Sequence, residues 1–323
     1  MAVRRCVSVA EMVDEALSII SEEQRLEPED GAEFFFRGEP SNYHHPGDPH
    51  APLETSFISY LDRDREWVLH ERDLYQEALR HNIVSFYDDT TMVERLARMQ
   101  HYRLPTRFAD LSMNMMLATF FAAGGEQVTK SVGSENEDGY VRIIKVSPKK
   151  MKSFTSDIIT AIAHLPLVKP EDIRPNDEDG LEVLRYEITN ERPGFSLNMR
   201  QWESSRMQQV EEQLRREIQH VWAFKPILNN RRIRSQGGLF LAFGCGDNKE
   251  SLKPSFSPRD YNDENKPSYG IKQIGYVQIH VEAKPEIIKQ LRFFGMPEEN
   301  VYPDLSDVCN SIGERFKQKG KSK

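Results

Sequence analysis

The residues able to do chemistry gather in one stretch, Gln100 to Ala122. Its first half sets His101, Thr106, Arg107 and Asp110 around Pro105, and its second half is an apolar run with helical spacing. Imidazole titrates near neutrality and can move protons, guanidinium offers anions a planar fork of donors, and a carboxylate can stabilise developing positive charge. Proline disfavours helical geometry in the residue before it, so Pro105 ends the preceding helix and leaves these four residues in or beside a loop. The following helix, opened by Ser112 or Asn114, carries Met115, Met116, Leu117, Ala118, Phe120 and Phe121 and must be buried. A polar loop anchored on a buried helix is held rigidly, which suits a binding site.

Two other places add charged groups. Phe34-Phe35-Phe36 reads as a short core strand that delivers Arg37 at its end, with Gly38 permitting a tight exit. Arg37 either binds a ligand or pairs with a carboxylate for architecture. Arg231, Arg232 and Arg234 form a basic turn before Gln236-Gly237-Gly238 and a core strand, Leu239 to Phe243. The arginines either meet phosphates or make a surface turn, and the glycines let a ligand approach the backbone. His44, His45 and His50 lie in a Pro- and Gly-containing loop, Ser41 to Thr55, with no helix at ligand spacing, so a solvated loop is expected and no metal.

The elements around these groups follow from periodicity and caps. Ser8 caps a helix through Met12, Val13, Leu17 and Ile20, and Thr90 or Thr91 caps another through Met92 to Met99. Ser59 to Tyr87 is helical, with Trp67, Leu74, Ala78 and Leu79 inward and Arg63, Arg65, Glu71 and Arg72 on a solvated face. Tyr140 to Val146 and Val277 to Val281 are strands, Trp202 to Trp222 a long amphipathic helix, and Pro285 to Phe293 a helix ended by Gly295. The expected fold is therefore α+β, a central, mainly antiparallel sheet flanked by helices.

Composition bounds the alternatives. The 323 residues are 38% hydrophobic and 29% charged, enough apolar content for a substantial core. A net charge of −8 supplies no global basic field, so nucleic-acid binding needs a local patch. Cys6, Cys245 and Cys309 show no paired spacing, which points to a reducing compartment rather than a disulfide scaffold. No run approaches the roughly 20 apolar residues that span a bilayer, and the N-terminus has no apolar signal core, so a cytoplasmic protein without membrane partners is expected.

Four pieces in order resemble the FRG domain, a bacterial family named for Phe-Arg-Gly. They are Phe36-Arg37-Gly38, Gln100-His101-Tyr102 through Leu104-Pro105-Thr106-Arg107 to Asp110, Gln236-Gly237-Gly238-Leu239-Phe240, and Pro303-Asp304-Leu305. Phe108-Ala109-Asp110-Leu111-Ser112 stands where members often have Leu-Leu-Asp-Trp-Thr, and Glu39 replaces a frequent Gln. The pieces span most of residues 31–316, which implies one domain over 1–323 with a possible helical insertion at 196–225. The family implies a place in bacterial toxin or anti-phage defence loci.

The order of motifs is also similar to that of ADP-ribosyltransferases, which implies nicotinamide adenine dinucleotide (NAD) as substrate. By that likeness Arg37 and Gly38 hold the ribose or pyrophosphate, Thr106 or Ser112 fixes that arginine or the nicotinamide ribose, and Arg107 belongs to the same binding group. Asp110 stabilises the oxocarbenium-like cation, His101 acts as base for an acceptor, and Gln236 occupies the third motif. The expected partners are a nucleotide and a macromolecular acceptor, nucleic acid or protein. Asp110 either does this chemistry or holds Arg107 or Arg37 in an ion pair. Two other readings stand beside the enzyme: a non-catalytic module sensing a nucleotide or phage component, and a nucleic-acid-binding protein resting on Arg231, Arg232 and Arg234.

Overall fold

The computed structural model describes residues 5–41, 59, 61–125, 137–168, 188, 213–214, 216–228, 234, 238–245 and 260–302. Its strands are β1 (Arg5–Cys6), β2 (Glu33–Glu39), β3 (Phe108–Ser112), β4 (Gly139–Val146), β5 (Met151–Ser153), β6 (Val221–Lys225), β7 (Gly238–Phe243) and β8 (Ile271–Ile279). Its α-helices are α1 (Val9–Leu26), α2 (Arg65–Leu69), α3 (Glu71–Asn82), α4 (Met92–His101), α5 (Met115–Ala122), α6 (Asp157–His164), α7 (Lys284–Phe293) and α8 (Glu298–Val301). The strands form one sheet in the order β1-β8-β4-β2-β3-β7-β6-β5. The two outermost pairings are parallel and the inner ones antiparallel. The α+β expectation is met.

Local chemistry starts the helices where the sequence indicates. Ser8 caps α1, accepting from the Glu11 amide, and Asn114 caps α5, accepting from the Met116 amide. Thr91 and Glu94 close a reciprocal capping box on α4, with Thr91 N donating to Glu94 Oε2 at 2.9 Å. Such caps contribute about 1 kcal/mol each and fix where a helix begins.

Strand alternation divides the core. One face carries Phe108, Phe240, Ala242, Trp222 and Phe224 against α3, α4 and α6, and farther along the same face Phe36, Val141, Ile143, Val277 and Ile279 meet α1, α5 and α7. Phe35, Ala109, Leu111, Ile144, Leu239 and Leu241 form a separate apolar layer on the opposite face.

Helix α5 lies close on the sheet because two glycines admit it. A Cβ at Gly38 would sit 1.8 Å from the Ala118 carbonyl oxygen, and one at Gly139 would sit 2.1 Å from that of Ala122. Ala118 and Ala122 are one helical turn apart, so successive turns of α5 rest on β2 and β4.

The structure corrects several expectations. Phe108–Ser112 is a central strand, not a loop. Its apolar residues point to both faces, so the polar–apolar alternation that marks a half-buried strand is absent. Strand β2 runs through Glu39, which places Arg37 and Gly38 inside it instead of at its exit. Glu71 is buried at the start of α3 rather than on a solvated face. Trp222 belongs to β6; of the expected helix before it, the described residues Gln213, Leu214 and 216–218 are helical.

Candidate functional site

Three short segments meet where β2 and β3 part. The strands share a single bridge, Phe36 opposite Ser112. Beyond it Arg37 reaches across, its Nη1 donating to the Asp110 carbonyl oxygen at 3.0 Å. Arg37 therefore contacts the backbone of Asp110, and the two side chains leave opposite faces of the sheet. Arg37 shares its face with Phe35 and Glu39, while Asp110 shares its face with Phe108.

On the Arg37 side, Nε donates to Glu39 Oε1 at 3.1 Å, and Arg142 Nε donates to Glu39 Oε2 at 2.7 Å. Arg142, opposite Arg37 on β4, also donates from Nη1 to Gln273 Oε1 at 2.9 Å. Glu39 is thus a carboxylate shared between two guanidinium groups.

On the other side, α4 supplies Gln100 and His101 from its last turn. Thr106 Oγ1 donates to Gln100 Oε1 at 2.7 Å, and Gln100 Nε2 donates to Asp110 Oδ2 at 3.1 Å. The hydroxyl fixes which end of the amide faces the carboxylate. Thr106 Oγ1 itself accepts from the Phe108 amide at 3.2 Å, so the relay is anchored on the strand that carries Asp110. Asp110 Oδ1 is shielded from solvent and accepts no hydrogen bond. The His101 ring meets Phe240 edge-on at 5.4 Å, and Phe240 is the cross-strand partner of Asp110. His101 therefore packs over the cross-strand neighbour of Asp110.

The remaining expected residues have architectural contacts. Arg107 Nη2 donates to Glu71 Oε2 at 2.8 Å, its Nε lies 2.7 Å from Glu71 Oε1, and its Nη1 donates to the Gly244 carbonyl at 2.6 Å. Burial pulls the Arg107 pKa down, and the adjoining Glu71 carboxylate more than reverses this, leaving it raised. Ser112 Oγ accepts from the Asn114 amide at 2.9 Å and shapes the turn into α5. Gly38 is the seat of α5. The expected Arg107–Asp110 and Arg37–Asp110 ion pairs are replaced by Arg107–Glu71 and Arg37–Glu39. Gln236, Arg231, Arg232, His44, His45, His50 and Pro303-Asp304-Leu305 lie outside the described residues, and Arg234 is exposed on a helical turn.

Sequence reasoning gave Gln100, Glu39 and Arg142 no role at the site and put Glu71 on a solvated face. Gln100 immediately precedes His101, and Glu39 lies two residues past Arg37, the spacing that returns a strand to the same face. Arg142 is, with Lys145, a charge inside a strand of mostly apolar residues, which is itself a signal of a buried partner. Among the described residues no group of three or more His, Cys, Asp or Glu side chains could hold a metal, and no helix is long and apolar enough to cross a membrane.

Fold and site together define an α+β protein whose central split carries two arginines and a carboxylate on one face of the sheet and Asp110 with an oriented amide on the other. Residues 32–131 match the FRG domain, so the chain contains an FRG domain running from the start of β2 past α5. The Phe-Arg-Gly tripeptide lies in β2, and Gln100, His101, Thr106 and Asp110 are on the facing side of the split. No curated protein and no solved structure matches the chain.

Proposed function

We propose that this FRG-domain protein consumes NAD, as a transferase or glycohydrolase acting as an effector in bacterial toxin or anti-phage defence. The supporting observation is Asp110: one carboxylate oxygen is held by Gln100, and the other is shielded and hydrogen-bonded by nothing. A desolvated carboxylate oxygen with no hydrogen bond is suited to stabilising positive charge that appears only in the transition state. Cleavage of the nicotinamide–ribose bond develops such a charge on the ribose.

In this reading the electron pair of the broken carbon–nitrogen bond leaves with nicotinamide. Water or an acceptor hydroxyl attacks the ribose carbon as Asp110 stabilises the cation, and His101 takes the attacking group's proton. Arg37 offers the pyrophosphate its planar guanidinium where β2 and β3 part, from the other face of the sheet than Asp110. Thr106 and Gln100 position Asp110, while Ser112 and Gly38 place α5 beside it.

The test is incubation of the purified protein with NAD, alone and with protein and nucleic-acid acceptors, followed by chromatography for free nicotinamide and mass spectrometry of the acceptors. Release that is lost in Asp110→Asn and Arg37→Ala is expected. Thermal stabilisation by NAD without release of nicotinamide would instead identify a sensing module. Absence of both effects would end the NAD reading.

A further inference from the structure

At the β5 edge of the sheet, three strands away from β3, two lysines converge on one aromatic ring. Lys150, just before β5, and Lys152, within it, lie over the indole of Trp222, with Nζ 4.1 Å and 4.4 Å from the ring centroid. Lys150 is 2% exposed, and its Nζ is also 5.3 Å from the centroid of Tyr269. Its stem is held in place by Gly270, at φ +68, where a Cβ would come within 2.8 Å of Lys150 Cγ. A buried amine ordinarily has an anion or a carbonyl oxygen to receive its protons. Among the described residues neither lysine has an ion pair or donates a hydrogen bond. Glu217 acts on Lys150 only through space, and its Oε1 accepts from Gln213 Nε2 at 2.8 Å. Glu264 accepts from the Tyr269 hydroxyl at 3.1 Å, and His220, whose own pKa is lowered by burial and by Lys150, adds no negative charge. Burial and Lys152 lower the pKa of Lys150 to about 7, so the cluster holds a nucleophilic amine, a cation beside it and no anion between them.

We propose that Lys150 is a carbamylation site: its Nζ takes up carbon dioxide, and the resulting carbamate pairs with Lys152. The nitrogen lone pair forms a bond to the carbon of carbon dioxide, one carbon–oxygen π pair moves onto oxygen, and the Nζ proton that is released goes to water. No oxidant, reductant or leaving group is required. The product is a carboxylate-like anion on Lys150, so repulsion between two lysines over one indole gives way to an ion pair, and Lys152 remains as the cation on the ring. Carbon dioxide is small and uncharged, which suits an amine that is 2% exposed, whereas a phosphate would have to bring its charge and hydration shell into the cluster.

In the experiment the full chain is equilibrated with bicarbonate and carbon dioxide at mildly alkaline pH. Carbamates are trapped as ethyl esters with triethyloxonium ion, and peptide mass spectrometry locates the adduct. The adduct is expected on Lys150 and not on Lys149, the exposed neighbour that serves as internal control. Lys152→Met, which removes the counter-ion, should lower the yield on Lys150 several-fold while circular dichroism shows the fold intact. The adduct on the parent protein is read without any variant, so the site assignment does not depend on whether a substitution folds. No adduct on Lys150, equal labelling of Lys149 and Lys150, or an undiminished yield in folded Lys152→Met would each overturn the proposal.

Discussion

Arg37 and Arg107 occupy neighbouring central strands or their entrances and belong to the same FRG domain, yet they are held differently. Arg107 is held along its whole fork: Glu71 faces its Nε and Nη2 while Gly244 takes Nη1, and the two side chains are 5% and 3% exposed. Arg37 is 13% exposed, shares Glu39 with Arg142, and spends one Nη1 contact on the Asp110 backbone. A fully buried pair ties three distant segments together and has little freedom to serve a ligand. A shared carboxylate keeps its second arginine when the first is disturbed, so Arg37 can exchange partners at lower cost.

The largest effect should come from the buried pair. Glu71→Ala leaves Arg107 buried without its counter-charge and is expected to cost about 3–5 kcal/mol, read as a lower urea midpoint at unchanged slope. A loss below roughly 1 kcal/mol, the range of surface pairs, would break the contrast.

Lys150 sharpens it from the opposite direction. This amine is 2% exposed and lies 4.1 Å from the Trp222 ring centroid and 5.3 Å from that of Tyr269. Burial, reinforced by nearby Lys152 and only partly opposed by Glu217, lowers its pKa to about 7. The unfolded chain keeps this proton up to the ordinary lysine range, so between pH 7 and 10.5 the unfolded state binds more protons and stability rises with pH. Lys150→Met should remove that slope and add on the order of 3 kcal/mol near pH 7. An unaltered slope in urea titrations across this window would show that Lys150 keeps its proton in the folded state up to the ordinary lysine range.

Gly38 tests whether the Arg37 strand depends on packing more than on charge. A Cβ there meets backbone atoms of Ala118 and Ala122, which cannot rotate away as a side chain would. Gly38→Ala should therefore shift α5 and cost about 1–3 kcal/mol in thermal or urea unfolding. A neutral result would mean that α5 moves freely on β2.

Much of this frame was legible in local patterns, and what was not has identifiable causes. Ser8, Thr91 and Asn114 announce their helices because a cap is a contact between residues two or three apart. Strands β4 and β7 announce themselves as apolar runs. Strand β3 does not, because Asp110 and Ser112 interrupt a segment whose apolar residues face both layers. Glu71 looks like a surface charge until Arg107, 36 residues later, is brought against it. Helical periodicity records where a side chain points and is silent about a partner from another element. The same holds for the site: the residues of the Gln100–Asp110 relay are all in the stretch that stood out, but which amide end faces which oxygen depends on Thr106 folding back.

The smallest effect on stability should be at Arg37, and it decides the meaning of the comparison. In Arg37→Ala, Glu39 retains Arg142 at 2.7 Å, so no buried carboxylate is stranded and the expected loss is below about 1 kcal/mol. Nicotinamide release, if Arg37 binds the pyrophosphate, should fall on the order of 100-fold in kcat/KM, as when a preorganised donor is removed. Arg37→Lys keeps the charge but not the planar fork that spans Glu39 and the Asp110 carbonyl, so it should match the parent in urea and remain impaired in turnover. A stability loss as large as that of Glu71→Ala would place both arginines in the architecture. Lysine restoring full turnover would reduce the role of Arg37 to a point charge.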